Sequence, residues 1–170
     1  MEGAGSGVGC TDCAAGKFST IVAAGSKSVC TDCSSGSYSF TLGASSEAAC
    51  RKCAAGKHAA LAGAATSSVC EECGMGTFSN EEGSESCQLC PKGKFSTEWA
   101  ATSVFVCQSC EAGKYSEQEG GSTASDCKLC YAGKYSAERS STVCTRCSAG
   151  KFSTAEGSTS SDSCLLCLAG

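Results

Sequence analysis

The chain has 170 residues, 18 of them cysteine, and a formal charge of −4. Leu, Ile, Val and Phe together number 21, too few for hydrophobic burial to fold a domain of this length, while the small net charge does not suit a disordered polyelectrolyte. A cysteine content above about 8–10 % marks a disulfide scaffold instead, and a mildly acidic chain with no Lys/Arg block is expected to engage neither nucleic acid nor an anionic membrane.

Residues 1–9, Met-Glu-Gly-Ala-Gly-Ser-Gly-Val-Gly, have neither a charged n-region nor an apolar h-region, so no signal peptide is expected there. No apolar stretch is long enough to span a bilayer. From Cys10 onward the chain repeats itself. The first cysteines of nine C-x2-C pairs stand at Cys10, Cys30, Cys50, Cys70, Cys87, Cys107, Cys127, Cys144 and Cys164, spaced by 20 or 17 residues. In the eight complete copies a glycine comes three residues after the second cysteine: Gly16, Gly36, Gly56, Gly76, Gly93, Gly113, Gly133 and Gly150. Two further on stands a ring, at Phe18, Tyr38, Phe78, Phe95, Tyr115, Tyr135 and Phe152, with His58 as the exception. A serine follows each ring except at Ala59.

A fixed period near 20 residues predicts an extended, solenoid-like rod in which each repeat leans on its neighbours and few contacts are long range. Residues 1–9 read as the tail of a partial repeat and 164–170 as the head of another. Between them lie eight repeats, 10–29, 30–49, 50–69, 70–86, 87–106, 107–126, 127–143 and 144–163, in one continuous array. The two short repeats lose three residues between the ring and the next cysteine, where a loop tolerates deletion.

Within a repeat, helix is not expected, because no window places apolar residues at helical spacing and Gly, Ser and Thr interrupt every candidate. Gly-Lys-Phe-Ser reads as a turn with glycine at positive φ, followed by a short strand that carries the ring. The Ser/Thr-rich stretch after it is a polar return. The predicted fold is thus a small disulfide-rich repeat of short irregular β-hairpin loops.

Spacing alone does not fix how the cysteines pair. A bond inside one C-x2-C would close a strained small ring, which favours pairing between motifs. One rule joins the second cysteine of each motif to the first of the next: Cys13 to Cys30, Cys33 to Cys50, Cys53 to Cys70, Cys73 to Cys87, Cys90 to Cys107, Cys110 to Cys127, Cys130 to Cys144 and Cys147 to Cys164. Each such bridge is worth roughly 3 kcal/mol in a chain-entropy account. The other rule pairs alternate motifs first-to-first and second-to-second, which strands one motif of the nine.

The pattern C-x2-C-x2-G-[KTS]-[FY]-S, recurring from Cys10 to Gly170, resembles the ephrin-receptor-like cysteine-rich repeat of extracellular proteins and, more distantly, the loop module of tumour necrosis factor receptors. The resemblance implies the first pairing rule, leaving Cys10 and Cys167 unpaired or intermolecular. It also implies an extracellular or cell-surface location. The proline common after the second cysteine of the family survives here only as Pro91.

A rival reading is an array of four-cysteine zinc sites, since C-x2-C-x16-C-x2-C lies within their spacing. Nine motifs do not divide into pairs, however, and few basic residues stand ready to stabilise so many thiolates. A redox C-x2-C is weaker still without a βαβ pattern. His58 fits a packed position in the ring ladder better than a catalytic base. Glu81, Glu82, Glu117 and Glu119 fit solvated loop charges better than a calcium loop. The lysines at 17, 57, 94, 114, 134 and 151 form one solvated stripe whose stems cover neighbouring rings.

Trp99 with Val104, Phe105 and Val106 are candidates for an interface with another chain or for extra local core, and Ile21, Val22, Phe40 and Leu42 are lesser ones. Ser and Thr number 43, which suits O-glycosylation, whereas Asn80, the sole asparagine, heads no N-glycosylation sequon. The expected function is therefore non-enzymatic and needs no cofactor or metal. It is an extracellular structural repeat of a surface fibre, filament or adhesive scaffold, with head-to-tail self-association through Cys167 and Cys10 as the expected partnership. The alternative is a receptor or adhesion ectodomain that binds a protein ligand.

Overall fold

The computed structural model describes residues 12–21 and 29–168; Cys10 and Val22 lie outside them. Each repeat begins with a tight turn. The Lys17 N–H donates to the Ala14 carbonyl at 3.1 Å, and the third residue of the turn, Gly16, sits at φ +84°. A β-carbon in that conformation costs roughly 1–2 kcal/mol, which is why glycine recurs there. Where the lysine is replaced, by Ser37 or Thr77, the hydroxyl donates to the same turn carbonyl, Ser34 at 2.6 Å and Gly74 at 2.7 Å.

The turn leads into a two-residue strand that pairs antiparallel with the two residues between the cysteines of the following motif. Lys17–Phe18 pairs with Thr31–Asp32, Ser37–Tyr38 with Arg51–Lys52, and Lys57–His58 with Glu71–Glu72. Thr77–Phe78 pairs with Gln88–Leu89, and Lys94–Phe95 with Gln108–Ser109. Lys114–Tyr115 pairs with Lys128–Leu129, Lys134–Tyr135 with Thr145–Arg146, and Lys151–Phe152 with Leu165–Leu166. Every sheet among the described residues is such a two-stranded hairpin, and no α-helix occurs among them. The protein is a small disulfide-rich repeat of short hairpins.

A disulfide closes each hairpin at its base. The bonds are Cys13 to Cys30, Cys33 to Cys50, Cys53 to Cys70, Cys73 to Cys87, Cys90 to Cys107, Cys110 to Cys127, Cys130 to Cys144 and Cys147 to Cys164. Their Cα atoms lie 5.5–5.7 Å apart, in the ordinary range for a disulfide. Cys167 is a free, exposed thiol.

The polar return of the full-length repeats carries a single 3-10 turn of three residues, at Glu47–Ala49, Ser67–Val69, Val104–Val106, Ala124–Asp126 and Ser161–Ser163. The short repeats 70–86 and 127–143 have none. Their deletion removes one such turn and leaves the hairpin and its staple intact.

The chain forms two compact units, one from the described residues of Met1–Glu72 with Glu81–Ser86, the other from those of Cys73–Asn80 with Cys87–Gly170. The same backbone ladder runs through each. In the first, the head glycines donate to the residue after the ring of the next repeat, Gly16 to Ser39 and Gly36 to Ala59, both at 2.7 Å. The amides of tail residues Gly43, Gly63 and Gly83 donate at 2.8 Å to the carbonyls of Cys13, Cys33 and Cys53. In the second, Gly76, Gly93, Gly113 and Gly133 donate to Ser96, Ser116, Ser136 and Ser153, and Ala100, Gly120, Ser140 and Gly157 donate to Cys73, Cys90, Cys110 and Cys130.

The reach of this ladder exceeds the nearest-neighbour packing expected from the period. The carbonyl of Gly63 occupies the space a β-carbon on Gly16 would need, two repeats earlier in the chain, and Gly83 stands in the same relation to Gly36. In the second unit Gly120, Ser140 and Gly157 crowd Gly76, Gly93 and Gly113 in the same way. The head glycine therefore answers two demands, a positive φ and a close backbone approach.

Sulfur and serine, rather than rings, fill the interior. Cys33, Cys53, Cys73, Cys90, Cys110 and Cys130 are fully buried, and so are Ser39, Ser79 and Ser96. The ring positions are half-buried except for Phe78, which is buried, and Phe152, which is exposed.

Candidate functional site

The serine after the ring is buried in six repeats and needs a hydrogen-bond partner, because leaving its hydroxyl unpaired would cost about 1–3 kcal/mol. Its own turn supplies one. The Oγ atoms of Ser39, Ser96 and Ser153 accept from the N–H two residues on, at Thr41 (3.3 Å), Glu98 (3.2 Å) and Ala155 (3.2 Å). The hydroxyls of Ser116 and Ser136 instead donate to the carbonyls of Gln118 (3.2 Å) and Glu138 (3.1 Å). No buried side-chain polar atom among the described residues lacks a partner. Ala59, which has no hydroxyl to satisfy, is equally buried.

The apolar cluster of repeat 87–106 divides between interior and surface. Phe78, Cys90, Ala101 and Cys107 form a buried group, against which Val104 and Val106 pack. Phe105, on the same 3-10 turn, points outward at 94 % exposure, and Trp99 is 63 % exposed beside Gly74. Two of the four candidates thus serve the local core and two lie on the surface. Phe40 and Leu42 are also exposed, and the guanidinium of Arg51 lies 4.6 Å over the Phe40 ring, a cation–π contact across the hairpin. Ile21 is exposed.

The lysine stripe is not uniform. Lys17 and Lys57 reach the carboxylates opposite them, Asp32 at 2.8 Å and Glu72 at 3.4 Å. Lys94, Lys114, Lys134 and Lys151 stand opposite Ser109, Leu129, Arg146 and Leu166. Such exposed pairs contribute little to stability, about 0–1 kcal/mol each. His58 is half-buried on its strand opposite Glu71. Glu81 and Glu82 are exposed.

Glu117, Glu119 and Asp126 line a shallow polar cavity of about 210 Å³. Asp126 is already engaged, accepting from the N–H groups of Ser122 at 2.7 Å and Thr123 at 3.0 Å. The backbone bond from Thr123, then that from Ser122, hold its pKa below the ordinary aspartate value. A second, more open groove of about 670 Å³ runs past Phe95, Lys114 and Arg139, whose guanidinium pairs with Glu111 at 3.5 Å.

These features define a class: a covalently stapled repeat with a polar surface. Its cysteines are joined in disulfides, so sixteen of them offer no thiolate to zinc and the zinc-array reading loses its ligands. So many disulfides place the chain in an oxidising, extracellular setting. Residues 62–107 match the family described as tyrosine-protein kinase ephrin type A/B receptor-like, and the same cysteine pattern continues on both sides of that segment. That family is a non-catalytic repeat of receptor ectodomains. No curated protein matches the chain. No helix among the described residues is long and apolar enough to cross a membrane.

The tail residue four positions after the ladder serine carried no weight in the sequence. In the structure it is a second recurring geometry, with positive φ at Gly43, Gly63, Gly83, Gly120 and Gly157 and also at Ala100 and Ser140. The five glycines were the available signal, but alanine and serine at the equivalent positions broke the pattern.

Proposed function

We propose that this chain is a non-enzymatic structural repeat working outside the cell, as the stapled scaffold of a surface fibre, sheath or adhesive layer. One observation carries the reading: six of the eight disulfides close a hairpin whose head glycine and second cysteine are also clamped, through the backbone, to later repeats of the same compact unit. Opening one loop to a protease then requires breaking both a covalent bond and a ladder. Exposed Ser and Thr side chains on the polar returns, such as Thr66 and Ser68, offer positions for O-linked sugars and for hydration.

The test is intact mass before and after reduction, paired with limited proteolysis. Eight bridges, a gain of about two mass units each on reduction, and a chain that resists protease until reduced are the expected result. Free thiols carrying metal, or rapid cleavage of the oxidised chain, would overturn the reading. Mass heterogeneity after secretion from a eukaryotic host tests the sugars.

A second reading, an ectodomain that binds a protein ligand, is favoured by the outward-pointing Trp99 and Phe105. Loss of binding to a purified extracellular ligand on Trp99→Ala, with an unchanged melting temperature, would support it over the scaffold.

A further inference from the structure

Three positions of the repeats 107–126 and 127–143 depart from their counterparts elsewhere in the array, and the fold brings all three to one groove. The second residue between the cysteines is Ser109, where the other motifs carry Asp, Lys, Glu, Leu or Arg. The residue after the second cysteine is Glu111, the only charged one at that repeat position, and the residue before the tail turn is Arg139, the only basic one at its position. Ser109, Glu111 and Arg139 all line the groove of about 670 Å³ that runs past Phe95 and Lys114.

The serine is what opens the groove. Leu89 and Leu129, at the same position one motif before and one motif after, lie against the tail glycines Gly120 and Gly157 and fill the space beside them. Ser109 is too short to do so and meets Ser140 instead, whose hydroxyl donates to it at 2.6 Å, so the O–H of Ser109 remains a donor. The resulting volume falls within the range of a ligand site, about 300–1,000 Å³. Its lining adds the half-buried ring of Phe95 and the exposed amide of Gln108. Arg139 and Glu111 offset one another at 3.5 Å, whereas Lys114 stands opposite Leu129 and makes no ion pair among the described residues. One uncompensated positive charge thus lies beside an aromatic ring and a set of hydroxyl, amide and carboxylate groups.

We propose that this groove binds a hexuronate unit of an acidic polysaccharide. Lys114, with the remaining donors of Arg139, takes the sugar carboxylate. Ser109, Gln108 and Glu111 bond the ring hydroxyls, and Phe95 covers the C–H face of the pyranose. Charge complementarity selects an anion, and Glu111 selects which kind: a carboxylate only accepts hydrogen bonds, so it suits a ligand rich in hydroxyls and repels an acidic peptide, whose charged side chains offer it no donor. The proposal names a partner for the extracellular scaffold and rests on that reading, giving the stapled array one repeat-specific point of grip on a surface polysaccharide.

The test is isothermal titration of the oxidised chain with short oligogalacturonates, with the same oligomers methyl-esterified, and with hyaluronan oligosaccharides. The expected result is saturable binding of at least one of the two acidic sugars, and no measurable binding of the ester. Lys114→Thr, which places there the residue type of Thr77, is expected to weaken binding about tenfold or more at an unchanged melting temperature. Ser109→Leu with Ser140→Gly rebuilds the leucine-on-glycine pair of the adjacent repeats, so it refills the groove without losing the fold and is expected to weaken binding as much. Lys134→Thr, on the same lysine stripe but outside the groove, is expected to change nothing. Failure of both acidic sugars to bind, equal binding of the ester, or an equal loss in Lys134→Thr would overturn the proposal, and tighter binding of an oligoglutamate would reassign the groove to acidic peptides. Limited proteolysis of the same samples separates the two readings: a chain that resists protease until reduced yet binds neither sugar loses the groove and keeps the scaffold.

Discussion

Ala100 and Gly120 do the same work one repeat apart: each donates its N–H at 2.8 Å to a second-cysteine carbonyl, Cys73 and Cys90 respectively, and each holds positive φ, +50° and +74°. Only one of them can do so without strain. An L-residue in that region carries roughly 1–2 kcal/mol of steric cost that glycine avoids. Ala100→Gly is therefore expected to stabilise the second compact unit by about 1 kcal/mol, read as a raised midpoint in urea. Ser140→Gly is expected to gain less, because the Ser140 hydroxyl donates to Ser109 at 2.6 Å and that bond is lost.

The two kinds of head glycine predict different costs for the same substitution. At Gly93 an added methyl group meets both the positive φ and the Ser140 carbonyl, so Gly93→Ala is expected to cost about 3–5 kcal/mol and to melt the neighbouring hairpins. At Gly133 nothing stands in the way and only the backbone term remains, about 1–2 kcal/mol. Thermal unfolding of the two variants, compared in the oxidised state, measures the difference. Equal losses would show that conformation alone selects glycine at the heads.

The 3-10 turn Val104–Val106 predicts an alternation. Val104→Ala and Val106→Ala remove methyl groups packed against the cluster of Phe78, Cys90, Ala101 and Cys107 and are each expected to cost about 1–2 kcal/mol. Phe105→Ala removes a larger side chain from solvent and is expected to stay within about 0.5 kcal/mol of the parent. Midpoints in urea rank the three, and a Phe105 cost equal to that of the valines would place its ring in the core.

Asp126 makes a small, directional contribution to pH dependence. Its folded pKa is lowered, chiefly by the Thr123 and Ser122 backbone N–H groups, so its stabilisation is fully present above the unfolded carboxylate pKa. It is lost as the pH falls through the still lower folded value. Asp126→Ala is expected to cost about 1 kcal/mol at neutral pH, as a lost cap does, and nothing once the carboxyl is protonated. Melting temperatures of parent and variant should converge on acidification; a constant gap would mean that the carboxylate is not the stabilising group.

Much of this architecture was legible because its determinants are local and periodic. The turn at Gly16, the strand at Phe18 and the lack of α-helix among the described residues follow from residue types within a few positions of one another. The role of the serine was less visible, since Ser39 and Ser96 are both an interior filler and the cap of their own turn, and serine by composition reads as surface. The carbonyl over Gly16 comes from Gly63, two repeats away, and no local signal announces a contact at that distance. The cluster around Val104 read evenly as core or interface because both explanations use the same residue types; the outward face of Phe105 depends on which side of one 3-10 turn meets Phe78.

The hairpins set where such a chain can be cut and rejoined. Phe18 pairs with Thr31, which lies between two cysteines, so each C-x2-C completes the loop before it while launching the next. A break in the polar return falls between the two strands of one sheet and inside the Cys13–Cys30 loop, whereas a break between Asp32 and Cys33 leaves every two-stranded sheet and every bridge within one piece. Duplication and loss of modules should therefore have their breakpoints just before the second cysteine of a C-x2-C pair, and the array can lengthen or shorten without re-pairing its sulfurs.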